Sequence, residues 1–249
     1  MSMSCYVLLN KKLVFFFSFK SGNTSLAYWI YDYLKSRNDF IISDKNIPVY
    51  LNNPNMHVSA GMGWSLIKNN NFKGVVLSRD PYARIVSAFV NKFVVDGGRW
   101  IKNYDNLEHF SKNFLGDAAK DGVSFIEFLN LIDAYHISGQ ELNRHFAPQI
   151  PDKFLNKKFF TYQIKLESVD DDLKKMCEIE NLVWRPFPKL RTTKTNLRLF
   201  DGDASEINCF DLASKEILPK QKNLLNADTV SLINKIYEKD FSVFGYDKL

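Results

Sequence analysis

A chain of 249 residues, 45% hydrophobic and 24% charged, has the composition of a folded protein and not of a disordered polyelectrolyte. At this length roughly three quarters of the unfolded surface can be buried, so the core needs no metal or disulfide staple. A net charge of +5 favours anionic partners only mildly, and without a long Lys/Arg run or a recognised motif no nucleic-acid partner is expected.

The three cysteines, Cys5, Cys177 and Cys209, are odd in number and far apart, with no C-x-x-C. Neither a zinc knuckle nor a disulfide framework is readable in that pattern, and a reducing, cytoplasmic compartment is its simplest reading. Leu13 to Phe19 is apolar throughout but far short of the ~20 residues a membrane span needs. It lacks a cleavage site behind it, so it reads as a buried central strand and not as a signal peptide.

That strand runs into Lys20-Ser-Gly-Asn-Thr-Ser25, a small polar loop, after which Leu26, Ile30, Tyr33 and Leu34 recur at helical spacing. The unit is strand, tight loop, helix. Phe72 to Leu77 predicts a second strand, Ser78-Arg79-Asp80 its loop, and Pro81 the first position of a helix. Ile85, Val86, Phe89, Val90, Phe93 and Val94 mark that helix's apolar face. Ser124-x-x-Glu127 has the form of a capping box ahead of Phe125, Phe128, Leu129 and Ile132. Lys158 to Ile164 reads as a strand, Ser168 to Ile179 as a helix, Asn181 to Phe200 as a long loop, and Asp228 to Lys239 as a final helix. Phe- and Tyr-rich helical faces read as core and not as sugar platforms. Strands alternating with helices predict an α/β fold, a single domain over residues 1–249 with a central parallel sheet flanked by helices. Ligands of such sheets bind beyond the carboxyl ends of the strands, where both polar loops lie.

A loop that opens a helix aims several unpaired backbone N–H groups, and the positive end of the helix dipole, at one point. In the first loop Gly22 permits close approach of a phosphate, Thr24 and Ser25 can donate hydroxyls, and Lys20 adds a full charge. The G-x-x-x-x-G-K-[ST] pattern is absent because the lysine precedes the glycine. The same residues also suit an ordinary turn with Thr24 or Ser25 as helix cap. The second loop weighs between the two. A Mg²⁺-dependent phosphotransferase calls for a carboxylate at the neighbouring strand end. This strand delivers Arg79, with Asp80 behind it, and Ser87 follows two helical turns on. Lys and Arg without a clear metal-binding carboxylate suit a transfer that needs no metal.

At these residues the chain resembles the sulfotransferases. Lys20-Ser-Gly-Asn-Thr-Ser-Leu26 is similar to their 5′-phosphosulfate loop, and Leu77-Ser-Arg-Asp-Pro-Tyr-Ala-Arg-Ile-Val-Ser-Ala-Phe89 to their 3′-phosphate motif. Asn91-Lys92-Phe93, His145-Phe-Ala-Pro-Gln149, Tyr162-Gln-Ile-Lys-Leu-Glu167 and Asp240-Phe-Ser-Val-Phe-Gly-Tyr246 resemble segments of the carbohydrate (family 2) branch. The resemblance spans Phe15 to Tyr246. It implies a P-loop-NTPase-like sulfotransferase fold, 3′-phosphoadenosine 5′-phosphosulfate (PAPS) as donor, 3′-phosphoadenosine 5′-phosphate (PAP) as product, no metal, and a carbohydrate or glycoconjugate hydroxyl as acceptor. It also implies that Lys20, Ser21, Gly22, Asn23, Thr24 and Ser25 hold the phosphosulfate, and that Arg79 and Ser87 hold the 3′-phosphate. Asn23 stands where the family varies. The membrane anchor usual in the vertebrate Golgi enzymes is missing, which fits a soluble bacterial relative.

In-line sulfuryl transfer leaves negative charge on the oxygen between sulfur and the 5′-phosphate, and Lys20 is the residue to stabilise it. The acceptor hydroxyl needs a base that titrates near neutrality, which favours histidine. His57 ranks first, because it lies upstream of the Arg79 strand as the base does in some glycan sulfotransferases. His145 ranks second, from its acceptor-cleft segment. His109 and His136 read as structural, and Glu167 as either a base or a carboxylate that orients a neighbour. The segment Trp184 to Phe200 carries Arg185, Lys189, Arg191, Lys194 and Arg198 without an acid, so it is either a cover for the nucleotide, with Lys194 on the donor, or a solvated basic loop. The competing functions are an ATP- or GTP-dependent phosphotransferase and a non-catalytic module for anionic glycans.

Overall fold

Alternate residues of the apolar run at Leu13 face opposite ways, so a strand there needs cover on both sides. In the computed structural model, which describes residues 3–35, 57–95, 122–151, 159–190 and 198–249, it has that cover. In chain order, β1 (Met3–Leu8) turns through Leu9–Lys12 into β2 (Leu13–Ser18), which leads to α1 (Asn23–Lys35). β3 (His57–Ser59) and α2 (Ala60–Asn70) precede β4 (Lys73–Ser78) and α3 (Pro81–Phe89), and α3 continues as a π-helical segment, Val90–Val95. Next come α4 (Phe125–Ile137), β5 (Phe160–Lys165) and α5 (Val169–Ile179). β6 (Arg198–Leu199), α6 (Cys209–Ser214), β7 (Ile217–Leu218), α7 (Gln221–Leu224), α8 (Ala227–Ile236) and α9 (Glu238–Phe244) complete the chain.

These elements fall into two compact units that interleave in sequence, Met1–Asp80 with Gln149–Thr192, and Pro81–Pro148 with Thr193–Leu249. The first holds a five-stranded sheet in the order β3-β1-β2-β4-β5. β2, β4 and β5 pair in parallel, while β1 is antiparallel to both β2 and β3. The sheet is therefore mostly parallel and not wholly so, with β1 alone reversed. The reversal follows from the short Leu9–Lys12 turn, since a parallel neighbour needs a long crossover. Phe15, Phe17, Val75, Leu77 and Ile164 on one face pack with Leu26, Trp29, Ile30 and Tyr33 of α1 and with Leu173 and Met176 of α5. The other face meets α2 at Gly63, where an added Cβ would lie 2.5 Å from Cys5 Sγ and 2.9 Å from Val14 Cγ1. Helices thus cover both faces of the sheet.

The second unit is helical around an aromatic core. Phe89, Phe93, Phe125, Phe128 and Phe146 are all buried, with Phe93 and Phe128 5.0 Å apart and Phe128 and Phe146 4.9 Å apart by ring centroid. The expected apolar face from Ile85 to Val94 is buried throughout. The capping box also forms: Ser124 N donates to Glu127 Oε2 at 2.7 Å, and Glu127 N donates to Ser124 Oγ at 3.4 Å. The expected last helix is two, α8 and α9, because Tyr237 leaves helical geometry at φ −108° and ψ 24°. The stretch expected as loop from Asn181 to Phe200 includes β6, paired in parallel with β7. Among the described residues no helix is long and apolar enough to cross a membrane.

Candidate functional site

Strand register brings the site together. Phe17 of β2 pairs with Leu77 of β4, and Leu77 with Ile164 of β5. The loops that follow these three parallel strands, Phe19–Gly22, Arg79–Asp80 and Leu166–Ser168, therefore start side by side. The first has left-handed backbone at Lys20 (φ 68°) and at Gly22 (φ 86°). An added Cβ at Gly22 would lie 2.9 Å from Leu166 Cδ1 and 3.6 Å from Phe187 Cε1, so both dihedral and space demand glycine there. Beyond it α1 begins. Leu26 N donates to Gly22 O at 2.9 Å, which leaves the amides of Asn23, Thr24 and Ser25 ahead of the first helical hydrogen bond. No acidic residue stands in that first turn to compete with an anion.

The two predicted motifs meet through direct hydrogen bonds. Arg79 Nη1 donates to Lys20 O at 3.0 Å. The Gln149 side chain joins the same two loops: Arg79 N donates to its Oε1 at 2.9 Å, its Nε2 donates to Arg79 O at 2.8 Å, and Ser21 Oγ donates to Oε1 at 2.9 Å. Since Ser21 spends its proton on Gln149, the 2.7 Å contact between Ser18 Oγ and Ser21 Oγ has Ser18 as donor. The third loop joins as well, for Asp80 N donates to Glu167 Oε1 at 2.9 Å. Glu167 thus accepts from the backbone next to Arg79.

Over the start of α1 runs the segment Trp184–Leu190. Trp29 Nε1 donates to Arg185 O at 3.0 Å, Phe187 N to Asp170 Oδ1 at 2.7 Å, and Leu190 N to Ser25 Oγ at 3.4 Å. The basic stretch is therefore tied down beside the loop over these residues, and Lys189 within it is exposed. Ser25 Oγ and Ser21 Oγ both have protein partners. Ser21 is fully buried, so its hydroxyl belongs to the scaffold of the loop, whereas Lys20, Gly22, Asn23 and Thr24 are half-buried.

Ser87 and His145 belong to the second unit. Ser87 is half-buried in α3. At His145, the backbone N donates to Asn143 Oδ1 at 3.0 Å and ring Nδ1 lies 2.9 Å from the same atom. A backbone N–H can only donate, so that amide atom is the oxygen, and Nδ1 must carry a proton. In the neutral ring Nε2 is then the nitrogen with the lone pair. Arg84, the second arginine of the Arg79 motif, faces inward: it is buried, and its Nη2 donates to Ala147 O at 2.7 Å. Burial pulls its guanidinium below the ordinary range, and the nearby Tyr237 and Asp240 partly restore it. His57 opens β3 and pairs with Tyr6, two residues before the strand's carboxyl end at Ser59. Its side chain, Lys194, Arg191 and His109 lie outside the described residues.

A family model described as the sulfotransferase family matches residues 6–247. The chain belongs to that family. Sulfuryl transfer is the general chemistry of such a transferase, with PAPS generally the donor. No curated protein and no solved structure matches this sulfotransferase. Sequence reasoning named its loops from their residue types. It missed the role of Gln149, which had only its place at the end of His145-Phe-Ala-Pro-Gln149 as a signal.

Proposed function

We propose that the chain transfers a sulfuryl group from PAPS to a hydroxyl of a carbohydrate or glycoconjugate, its two units working as a single domain over residues 1–249. The observation that carries this reading is the bonded pairing of the Lys20 loop with Arg79 at the ends of adjacent parallel strands. It makes one cationic cradle from two motifs, with glycine packed where a Cβ would intrude.

In this reading the donor supplies the sulfuryl group and a phosphate leaving group. Lys20 neutralises the oxygen that keeps the electron pair when its bond to sulfur breaks. The amides from Gly22 to Ser25 and the Thr24 hydroxyl hold the phosphosulfate end. Arg79 and Ser87 hold the 3′-phosphate, and Lys194 adds charge from the basic segment. The acceptor oxygen forms the new bond to sulfur and yields its proton to a histidine. His57 and His145 are the two candidates, and at His145 the proton on Nδ1 leaves Nε2 as the basic nitrogen of the neutral ring. The three free, buried cysteines support a reducing, cytoplasmic setting.

Thermal shift with PAP against ATP·Mg²⁺ tests the donor class. PAP should raise the midpoint by several degrees and ATP·Mg²⁺ by much less; stabilisation by ATP·Mg²⁺ alone would sink the reading. Arg79→Ala should weaken PAP at least tenfold more than adenosine 5′-phosphate, and equal losses would remove Arg79 from the 3′-phosphate. Once an acceptor is in hand, His57→Ala and His145→Ala separate the bases. Loss of the true base should cost about 10²–10⁴ in kcat, and survival of full activity in both variants would exclude these two histidines as the base.

A further inference from the structure

Gln149 is 1% exposed, and an amide so placed is costly unless its polar atoms are satisfied. Its Oε1 accepts from Ser21 Oγ and from Arg79 N while Nε2 donates to Arg79 O, so one side chain spans both phosphate-binding motifs. The partners lie 128 and 70 residues away in sequence. None of the atoms it uses is one the donor would need. It takes the backbone of Arg79 and leaves the guanidinium free of it, and it takes the hydroxyl of Ser21 and leaves the loop amides alone. The bond from Arg79 Nη1 to Lys20 O is different, because it uses one of the five N–H donors of a group meant for a phosphate.

We propose that Gln149 is a positioning residue of the donor cradle. It holds the Lys20 loop at a fixed spacing from Arg79, so that the two grip opposite ends of one nucleotide whether or not the guanidinium has left Lys20 O. The loop needs such a hold. Lys20 adopts a left-handed backbone that disfavours any residue with a Cβ, and that conformation persists only where its surroundings impose it. The Ser18–Ser21–Gln149 chain imposes it from inside, at positions that are all buried. This role rests on the sulfotransferase reading only in naming the nucleotide; the clamp itself does not.

The test uses Gln149→Leu, Gln149→Glu, Ser21→Ala and the Ser21→Ala/Gln149→Leu double variant in the full chain. Amide exchange of the segment from Lys20 to Ser25 and PAP affinity are both measured. Gln149→Leu keeps the bulk and removes every hydrogen bond. It should speed exchange of that segment at least tenfold and weaken PAP at least tenfold, with the α8–α9 segments unchanged. Gln149→Glu keeps both acceptor contacts and should recover part of the lost protection. The double variant should be no worse than Gln149→Leu alone, because both changes break one chain. If Gln149→Leu fails to fold, Ser21→Ala carries the test with its single deleted hydroxyl. Wild-type exchange rates in the variants, or losses that add in the double variant, overturn the clamp. Failure of the wild type to bind PAP, with the exchange result intact, overturns the nucleotide and leaves the clamp standing.

Discussion

Single side chains here are decided by burial and by the charges around them. Burial pushes the Cys5 thiol up to about 12 and the Cys177 thiol up to about 11, and it raises Cys209 as well. At pH 8 all three should be protonated and unreachable. A thiol-reactive dye should therefore label none of them in the native protein and all three in denaturant, and fast native labelling would contradict the packing around β1 and α5. Glu180 shows the opposite balance. Burial alone would raise its pKa, but Lys73 Nζ at 2.7 Å, the Tyr162 hydroxyl and the charge of Lys11 together hold it below the usual range. The same contact works on Tyr162, which burial and then Glu180 push up to about 12. Tyr162→Phe should cost about 1–2 kcal/mol in urea unfolding, because a hydrogen bond to a charged group is lost. The motif arginines divide along similar lines. Arg79 and Arg84 look alike in the sequence, yet one tops a strand and the other is sealed among Ala147, Tyr237 and Asp240.

At the scale of elements, two glycines carry the sheet's contacts with its surroundings. Gly63→Ala would force α2 away from Cys5 and Val14, an overpacking of about 1–3 kcal/mol that should appear as a lower unfolding midpoint. Gly22→Ala should cost about 1–2 kcal/mol from its left-handed dihedral and should also displace Leu166, so PAP affinity should fall more than stability does. Most elements could be read in advance because their signals are local. An apolar run followed by small polar residues marked β2 and α1, Pro81 marked α3, and Ser124 with Glu127 marked α4. β1 escaped because its turn into β2 has a left-handed Lys12 at the position where a hairpin usually shows Gly or Asn. β3 has three residues, too few for any period. The break at Tyr237 has no Gly or Pro to announce it, and the π-helical segment after α3 keeps its apolar face unbroken. The contacts of Gln149 could not be read beyond its place in the His145-to-Gln149 segment, since what defines it is contact with Ser21 and Arg79 across the fold.

Over the whole molecule these groups set a pH window. Asp203, through its bonds from Asn226 and Ser205, and Glu180 both have folded pKa values below the ordinary carboxylate range. Their contribution is intact above about pH 4.5 and is lost as pH falls through the lowered values. Tyr6 and Tyr162 are both raised to about 12, so their contribution is intact below about pH 10 and is lost as pH climbs through 12. Thermal midpoints should form a plateau between these limits and decline on both sides. Tyr162→Phe should soften the alkaline decline and, by removing one donor from Glu180, also weaken the acid one, and an unchanged alkaline limb would contradict the assignment.

The interleaving of the two units also has a consequence for the order in which the protein is born. Ser21 leaves the ribosome 128 residues before the glutamine that fastens it, an interval of about 6–26 s at ordinary elongation rates. During that time the nascent chain carries its nucleotide motif without the means to hold it in shape. A chain stalled after Pro148 should therefore carry both the Lys20 and Arg79 motifs yet retain no PAP, and every contact described around the loop is available only once the chain extends past Leu190.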